Sequence, residues 1–234
     1  MVGVFTSLIG GVTGYGTGAL MPLVLVPIVG PEPVVPILSL SALFTNSSRM
    51  VAFRRLVDPR RVAIVLAAAV PTCALGAWGY TRLTSAGVMI LIGSMLALSV
   101  PLRRALRSRG FHVDDRRLGM ASVAWGVLVG GTSGAGIILL SMLMAAGVEG
   151  AAVIATDAVI SIALGVVKLT VFGFAGVLTA QVIAVALLIG LVAFPGAFLA
   201  RALVERLPIH IHTAILDAVV VMGGVVMIVG ALRR

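Results

Sequence analysis

A few residues stand out because they carry charge inside strongly apolar runs. Asp157, in Ala155-Thr156-Asp157-Ala158, and Lys168 lie eleven residues apart, about three helical turns along one face. Asp217 sits early in a later run, and Asn46-Ser47-Ser48-Arg49 ends an early one. A charge within such a segment is costly and marks function by default. The two acids are the candidates for carrying a proton, and Lys168 for attracting an anion. Arg49 is expected to reach back to a membrane surface. Asn46 is expected to face protein or a cavity and is placed with the binding site. Thr13-Gly14 and Ser133-Gly134 add a second kind of chemistry, each pairing a hydroxyl with a glycine. Glycine lets a helix unwind, and the freed N–H groups, with the positive end of a half-helix, can hold an anion.

The elements that must position these groups follow from composition. Of 234 residues, 60% are hydrophobic and 11% charged, and the mean hydropathy is +1.20. Soluble domains carry roughly 25% charged residues. A soluble enzyme, a disordered chain and a nucleic-acid-binding domain are therefore excluded, and an all-α integral membrane protein remains. Eight apolar runs read as transmembrane segments: 4–29, 34–53, 62–81, 85–102, 118–146, 150–172, 177–204 and 212–232. They are long enough to span and do not alternate as barrel strands would. Cys73, the single cysteine, reads as a small packed hydrophobe.

The net charge of +9 reflects arginines that orient the segments. With every segment spanning, most of the 17 basic residues fall on one side, including Arg54, Arg55, Arg60, Arg61 and those of the stretch 103–117. The positive-inside rule then predicts that both termini and this stretch are cytoplasmic, in the cell (inner) membrane. Glu32 and Glu149 are expected together on the outer side.

The chain reads as two copies of one unit. Thr13-Gly14-Tyr15-Gly16 aligns with Ser133-Gly134-Ala135-Gly136, Gly30-Pro31-Glu32 with Gly147-Val148-Glu149, and Pro71 with Pro195. Residues 1–102 form the first repeat, 103–117 a basic linker and 118–234 the second repeat. Duplicated halves with glycine or proline breaks in matching segments point to a secondary transporter. Parity is a difficulty. Four spans per half give parallel repeats, whereas inverted repeats need an odd number. Segments one and five are the candidates for broken or re-entrant helices.

The run GGVTGYGTGALMPLVLVP, its second copy GGTSGAGIILL and the proline midway in the third segment of each half resemble the sulfite exporter TauE/SafE family. The resemblance spans about residues 7–230. It implies transport of a small sulfur-containing anion such as sulfite or an organosulfonate, not catalysis. By position, it places Thr13, Gly14, Gly16 and Gly18 of the first half, and Ser133, Gly134 and Gly136 of the second, at the site. The second copy departs from the family pattern in Gly136-Ile137-Ile138-Leu139, where a glycine cluster and proline are usual. The partners expected are that anion, protons or another coupling ion, the lipid bilayer and a second copy in a homodimer, with no nucleic acid. Asp157 and Asp217, the only intramembrane acids, are assigned to proton coupling.

Other classes compete. An anion channel or a membrane sensor would share these segments. Gly131-Thr132-Ser133-Gly134 is also similar to the nucleophile stretch of rhomboid intramembrane proteases. That chemistry needs a histidine beside the serine, and His210 and His212 lie at the edge of segment eight, about 12 Å away in depth. No nucleotide-binding stretch and no metal-ligand spacing is present in the sequence, so no cofactor or metal is expected.

Overall fold

The computed structural model describes the backbone of residues 16–108, 113–204 and 209–232 and the side chains of 21–98, 101, 113–192 and 220–232. Among these residues the chain is helical: α1 (Gly16–Val29), α2 (Val34–Phe53), α3 (Pro59–Tyr80), α4 (Ser85–Ser108), α5 (Asp115–Gly131), α6 (Gly136–Ala145), α7 (Ala151–Phe174), α8 (Ala180–Val204) and α9 (Ile209–Leu232). A short 3-10 turn, Arg54–Leu56, follows α2. On length and composition, α3 and α7 are long and apolar enough to cross a membrane. At 1.5 Å per residue, the 22 residues of α3 reach about 33 Å, against a hydrocarbon core of about 30 Å. Apolar side chains point outward along several helices; Leu191 is 74% exposed and Val226 65%. Such a surface suits lipid, not water.

Local signals set the helix ends. Asp58 caps α3 by accepting from the Arg61 N–H at 3.0 Å, with Pro59 at the first position. Asp114 caps α5 in the same way through the Arg117 N–H at 3.1 Å. Gly30 and Gly147 follow α1 and α6 with φ of 82° and 85°, a conformation that suits glycine.

Segment five is not one span. The Val113 N–H donates to the Ala145 carbonyl at 2.8 Å, so the start of α5 lies beside the end of α6. Arg61 ion-pairs with Asp115 and donates from Nη2 to the Ala146 carbonyl at 2.8 Å, closing the same base. The chain rises through α5, leaves the helix at Thr132 in extended conformation, turns at Gly134 (φ 93°) and descends through α6. Segment five is a re-entrant hairpin, one of the two alternatives open for it. An apolar run shows that a segment is buried but not that it reverses.

The reversal corrects the expected sidedness. The 145–150 loop, with Glu149, lies at the same end as the 103–117 linker, not opposite it. Glu32 lies at the other end, where Tyr80 donates to its backbone carbonyl at 2.8 Å and Ser85 donates to its carboxylate. From α7 onward every helix runs opposite to the expectation from eight spans. Helix α9 packs antiparallel on α4, with Gly224 against Gly93 and Gly230 near Met89. Its end at Leu232 therefore lies at the Glu32 end, away from the linker, and the linker and the end of α9 do not share a side. The N-terminus lies outside the described residues.

Helix pairs are brought close by small residues. A Cβ at Gly126 would come within 2.0 Å of the Thr72 hydroxyl, and one at Gly130 within 2.2 Å of the Cys73 carbonyl, so α5 presses directly on α3. Without a hydrophobic drive in lipid, such close approach is what holds helices together. Gly126 and Gly130, which lie in the apolar run of segment five, are packing residues. Cys73 is buried at this contact, as its apolar setting predicts. One apolar cluster, with Val34, Tyr80 and Phe172, fills the Glu32 end. A second, with Val65, Leu139 and Ile160, fills the linker end.

Candidate functional site

Between the two clusters lies a cavity of about 170 Å³. Helix α2 contributes Ser39, Ala42, Asn46 and Arg49, which recur every three or four residues and so share one face. Helix α7 contributes Asp157, Ser161, Gly165 and Lys168 on the same principle. The hairpin contributes its tip, Thr132 to Ile137. Of the residues singled out in the sequence, Asn46, Ser133, Gly134, Gly136, Asp157 and Lys168 thus meet at one place.

Lys168 is only 7% exposed, and its Nζ donates to the Thr132 carbonyl at 3.1 Å. That carbonyl is released where α5 ends. An ammonium has three donors, and this bond uses one of them. Trp125, on the facing side of the hairpin, donates from Nε1 to the Ala135 carbonyl at 2.9 Å. Two carbonyls of the break, those of Thr132 and Ala135, are thereby held by protein side chains. The donors are treated differently. Helix α6 starts at Gly136 after Ala135, which has no capping side chain; the Ile138 N–H donates to the Ala135 carbonyl at 3.1 Å, and the N–H groups of Gly136 and Ile137 precede it at the opening of the helix. They and the positive end of the helix dipole face the cavity near mid-height.

Asp157 is 6% exposed. Ser161, one turn on, is its hydrogen-bond partner, and Arg49 is the opposite charge acting on it. Its Oδ1 has no partner among the described residues. The hydroxyls of Ser39, Ser41 and Thr45 donate back to carbonyls of their own helix at 2.6, 3.1 and 3.1 Å. Their protons are engaged, so they offer an anion little. Donors facing the cavity include Lys168, Arg49, the Asn46 amide and the start of α6.

The other expected residues divide as follows. Thr13 and Gly14 lie outside the described residues. Gly16 and Gly18 fall in the first turn of α1, whose side-chain surroundings are not described, and are not among the residues around the cavity. Asp217 lies in α9, in a stretch whose side chains are not described. Arg49 is the residue that the sequence reading misplaced. It lines the cavity while remaining partly exposed, and its register with Asn46 was the available signal. Trp125 is a buried support of the break. None of the described residues lining the cavity is a histidine.

A family model for the sulfite exporter TauE/SafE matches residues 1–227. No curated protein and no solved structure matches the chain.

Proposed function

As this chain belongs to the sulfite exporter TauE/SafE family, a family of membrane transporters, we propose that it is a secondary transporter of a small sulfur-containing anion, sulfite or an organosulfonate, coupled to protons. The observation that carries this reading is the hairpin tip beside Lys168. There, backbone donors at a helix N-terminus and a buried ammonium converge on a cavity, while the Thr132 and Ala135 carbonyls of the break are already bonded. Sulfite and sulfonate oxygens accept hydrogen bonds, and they need donors and positive potential. Ser133, Gly134, Gly136, Asn46 and Lys168 are assigned to the substrate. Asp157 is assigned to the proton, because a buried carboxylate with an unbonded oxygen can take one up inside the cavity.

Alternating access needs two related halves, and we read residues 1–102 and 118–234 as inverted copies. Helices α2 and α7 run in opposite directions and pack on each other, and α4 pairs with α9. Exchanging α2 with α7 and α3 with α8 turns the α3–α7 contact into the α8–α2 contact, which is also made. Gly30 and Gly147, aligned in sequence, share one backbone conformation. A re-entrant segment five supplies the odd number of full crossings that inversion requires. The arginine-rich linker end is assigned to the cytoplasm by the positive-inside rule, which puts the end of α9 outside the inner membrane.

Uptake of labelled sulfite and methanesulfonate into proteoliposomes, with and without an imposed pH gradient, tests the proposal. Gradient-driven accumulation of either anion is expected. Asp157→Asn should abolish that accumulation while binding persists. Transport of neither anion, or accumulation unaffected by the gradient and by Asp157→Asn, would refute the coupled reading.

A further inference from the structure

Two cations close the cavity, one toward each end. Arg49 stands about one turn before the end of α2, which finishes at the linker end. Lys168 stands less than two turns before the end of α7, which finishes at the Glu32 end. The two helices hold matching places in the two halves, and each places its cation near a helix C-terminus, where positive charge is favoured. Asp157 is on the Arg49 side, roughly 16 Å along α7 from Lys168.

We infer that Arg49 is a second anion-binding cation of this site and that Asp157 is its internal counter-charge, so that anion binding and proton binding at Asp157 assist each other. The inference rests on the anion-transport reading above and adds the identity of the residue through which the proton acts. With Asp157 ionised, the three groups sum to one positive charge. With Asp157 protonated they sum to two, and Arg49 is free to serve the anion alone. Whatever favours the proton then favours the anion by the same factor, as linkage requires.

The surroundings of Asp157 leave few other titrating groups. Helix α2 supplies Arg49, and α3 supplies Cys73, which lies nearer Lys168. Helix α6 and the hairpin tip carry no titratable side chain in their sequence. The 3-10 turn brings Arg54 and Arg55, both exposed. The Asp58 N–H bonds to Thr156 at 3.0 Å, and the Asp58 carboxylate is engaged in capping α3.

The test is binding of methanesulfonate, whose single charge does not change between pH 5 and 8, to the purified full-length protein. Affinity in the parent is expected to rise on acidification, by at most tenfold per pH unit, as one linked proton allows. Asp157→Asn should remove that dependence and bind throughout with the affinity the parent reaches in acid. Arg49→Gln should weaken binding at least tenfold, and Arg49→Lys should restore most of it. Adding Asp157→Asn to Arg49→Gln should change nothing further, because Asp157 acts through Arg49. Parent-like binding in Arg49→Gln, a retained pH dependence in Asp157→Asn, or additive effects in the double variant would overturn the inference. If Arg49→Gln does not fold, the pH profiles of Asp157→Asn and Arg49→Lys decide. A parent that binds neither methanesulfonate nor sulfite would refute the transport reading as well. A parent that binds, weakened by Lys168→Met but not by Arg49→Gln, would refute this inference alone.

Discussion

Replacing Lys168 with methionine separates a binding role from a structural one, because the two predict opposite signs. In the empty protein the ammonium is buried and donates to the Thr132 carbonyl at 3.1 Å. Hydrogen bonds to charged groups contribute about 1.5–3 kcal/mol, and an orphaned buried carbonyl costs about 1–3 kcal/mol. Against this stands the desolvation of the ion, several kcal/mol in real proteins. Methionine has nearly the same length and no charge, so the empty variant should be as stable as the parent or more so. The bound state should suffer. Truncating one partner of a buried charge pair costs about 2 kcal/mol or more, about a 30-fold rise in Kd. At an anion concentration of 100 times the parental Kd, ligand stabilises the parent by about 2.7 kcal/mol. The same concentration is only about three times the variant's Kd, and the stabilisation falls to about 0.9 kcal/mol. Thermal unfolding in detergent, with and without methanesulfonate, reads both quantities. A variant that unfolds earlier when empty, yet gains as much from the anion as the parent, would show that Lys168 only holds the hairpin.

The hairpin makes three further predictions. Gly134→Val should abolish anion binding, since φ of 93° excludes a β-branched residue, whereas Gly136→Ala meets open space and should fold normally; circular dichroism and anion binding on both variants check this. Single cysteines at Ser108 and Gly150, in a Cys73→Ser background, should react with an impermeant reagent from the same side of the membrane, and labelling from opposite sides would refute the hairpin. Trp125→Phe should remove the indole hydrogen bond to the Ala135 carbonyl, which keeps the Ile138 N–H at 3.1 Å, and lower stability by about 0.5–1.5 kcal/mol, read as an earlier thermal transition.

Much of the site was legible because buried charge is rare in apolar runs. Asp157, Lys168 and Asn46 declared themselves by type alone, and Ser133-Gly134 by its match to Thr13-Gly14. Arg49 did not, because an arginine a few residues from a segment end has a ready alternative in the headgroups. Only the packing of α2 on α7 turns it inward. The helices themselves follow the apolar runs within a few residues, since continuous hydropathy reports burial directly. Direction is a different matter. Segment five is apolar from end to end, and its reversal depends on one positive φ at Gly134 and on the Val113–Ala145 bond at its base. Neither leaves a trace in hydropathy, so every helix after it was assigned the wrong way round. The glycines of that segment were ambiguous for a related reason: Gly126 and Gly130 serve close packing on α3, while Gly134 serves the turn.

The way the break is satisfied also decides the sign of what it can bind. An unwound helix frees carbonyls and N–H groups in equal number, and in an apolar setting both need partners. Here the carbonyls are taken, Thr132 by Lys168 and Ala135 by Trp125. The residue before α6, Ala135, has no side chain that could cap the N–H groups opening the helix. Had the cavity been built for a cation, the carbonyls would be the groups left over. Spending acceptors on the protein and keeping donors for the cavity produces a site of positive potential without an additional charged residue. Lys168 serves both ends of this arrangement, silencing an acceptor with one N–H while adding its charge to the donors. On the proposed reading, the anion preference is therefore a property of the backbone break as much as of the side chains around it.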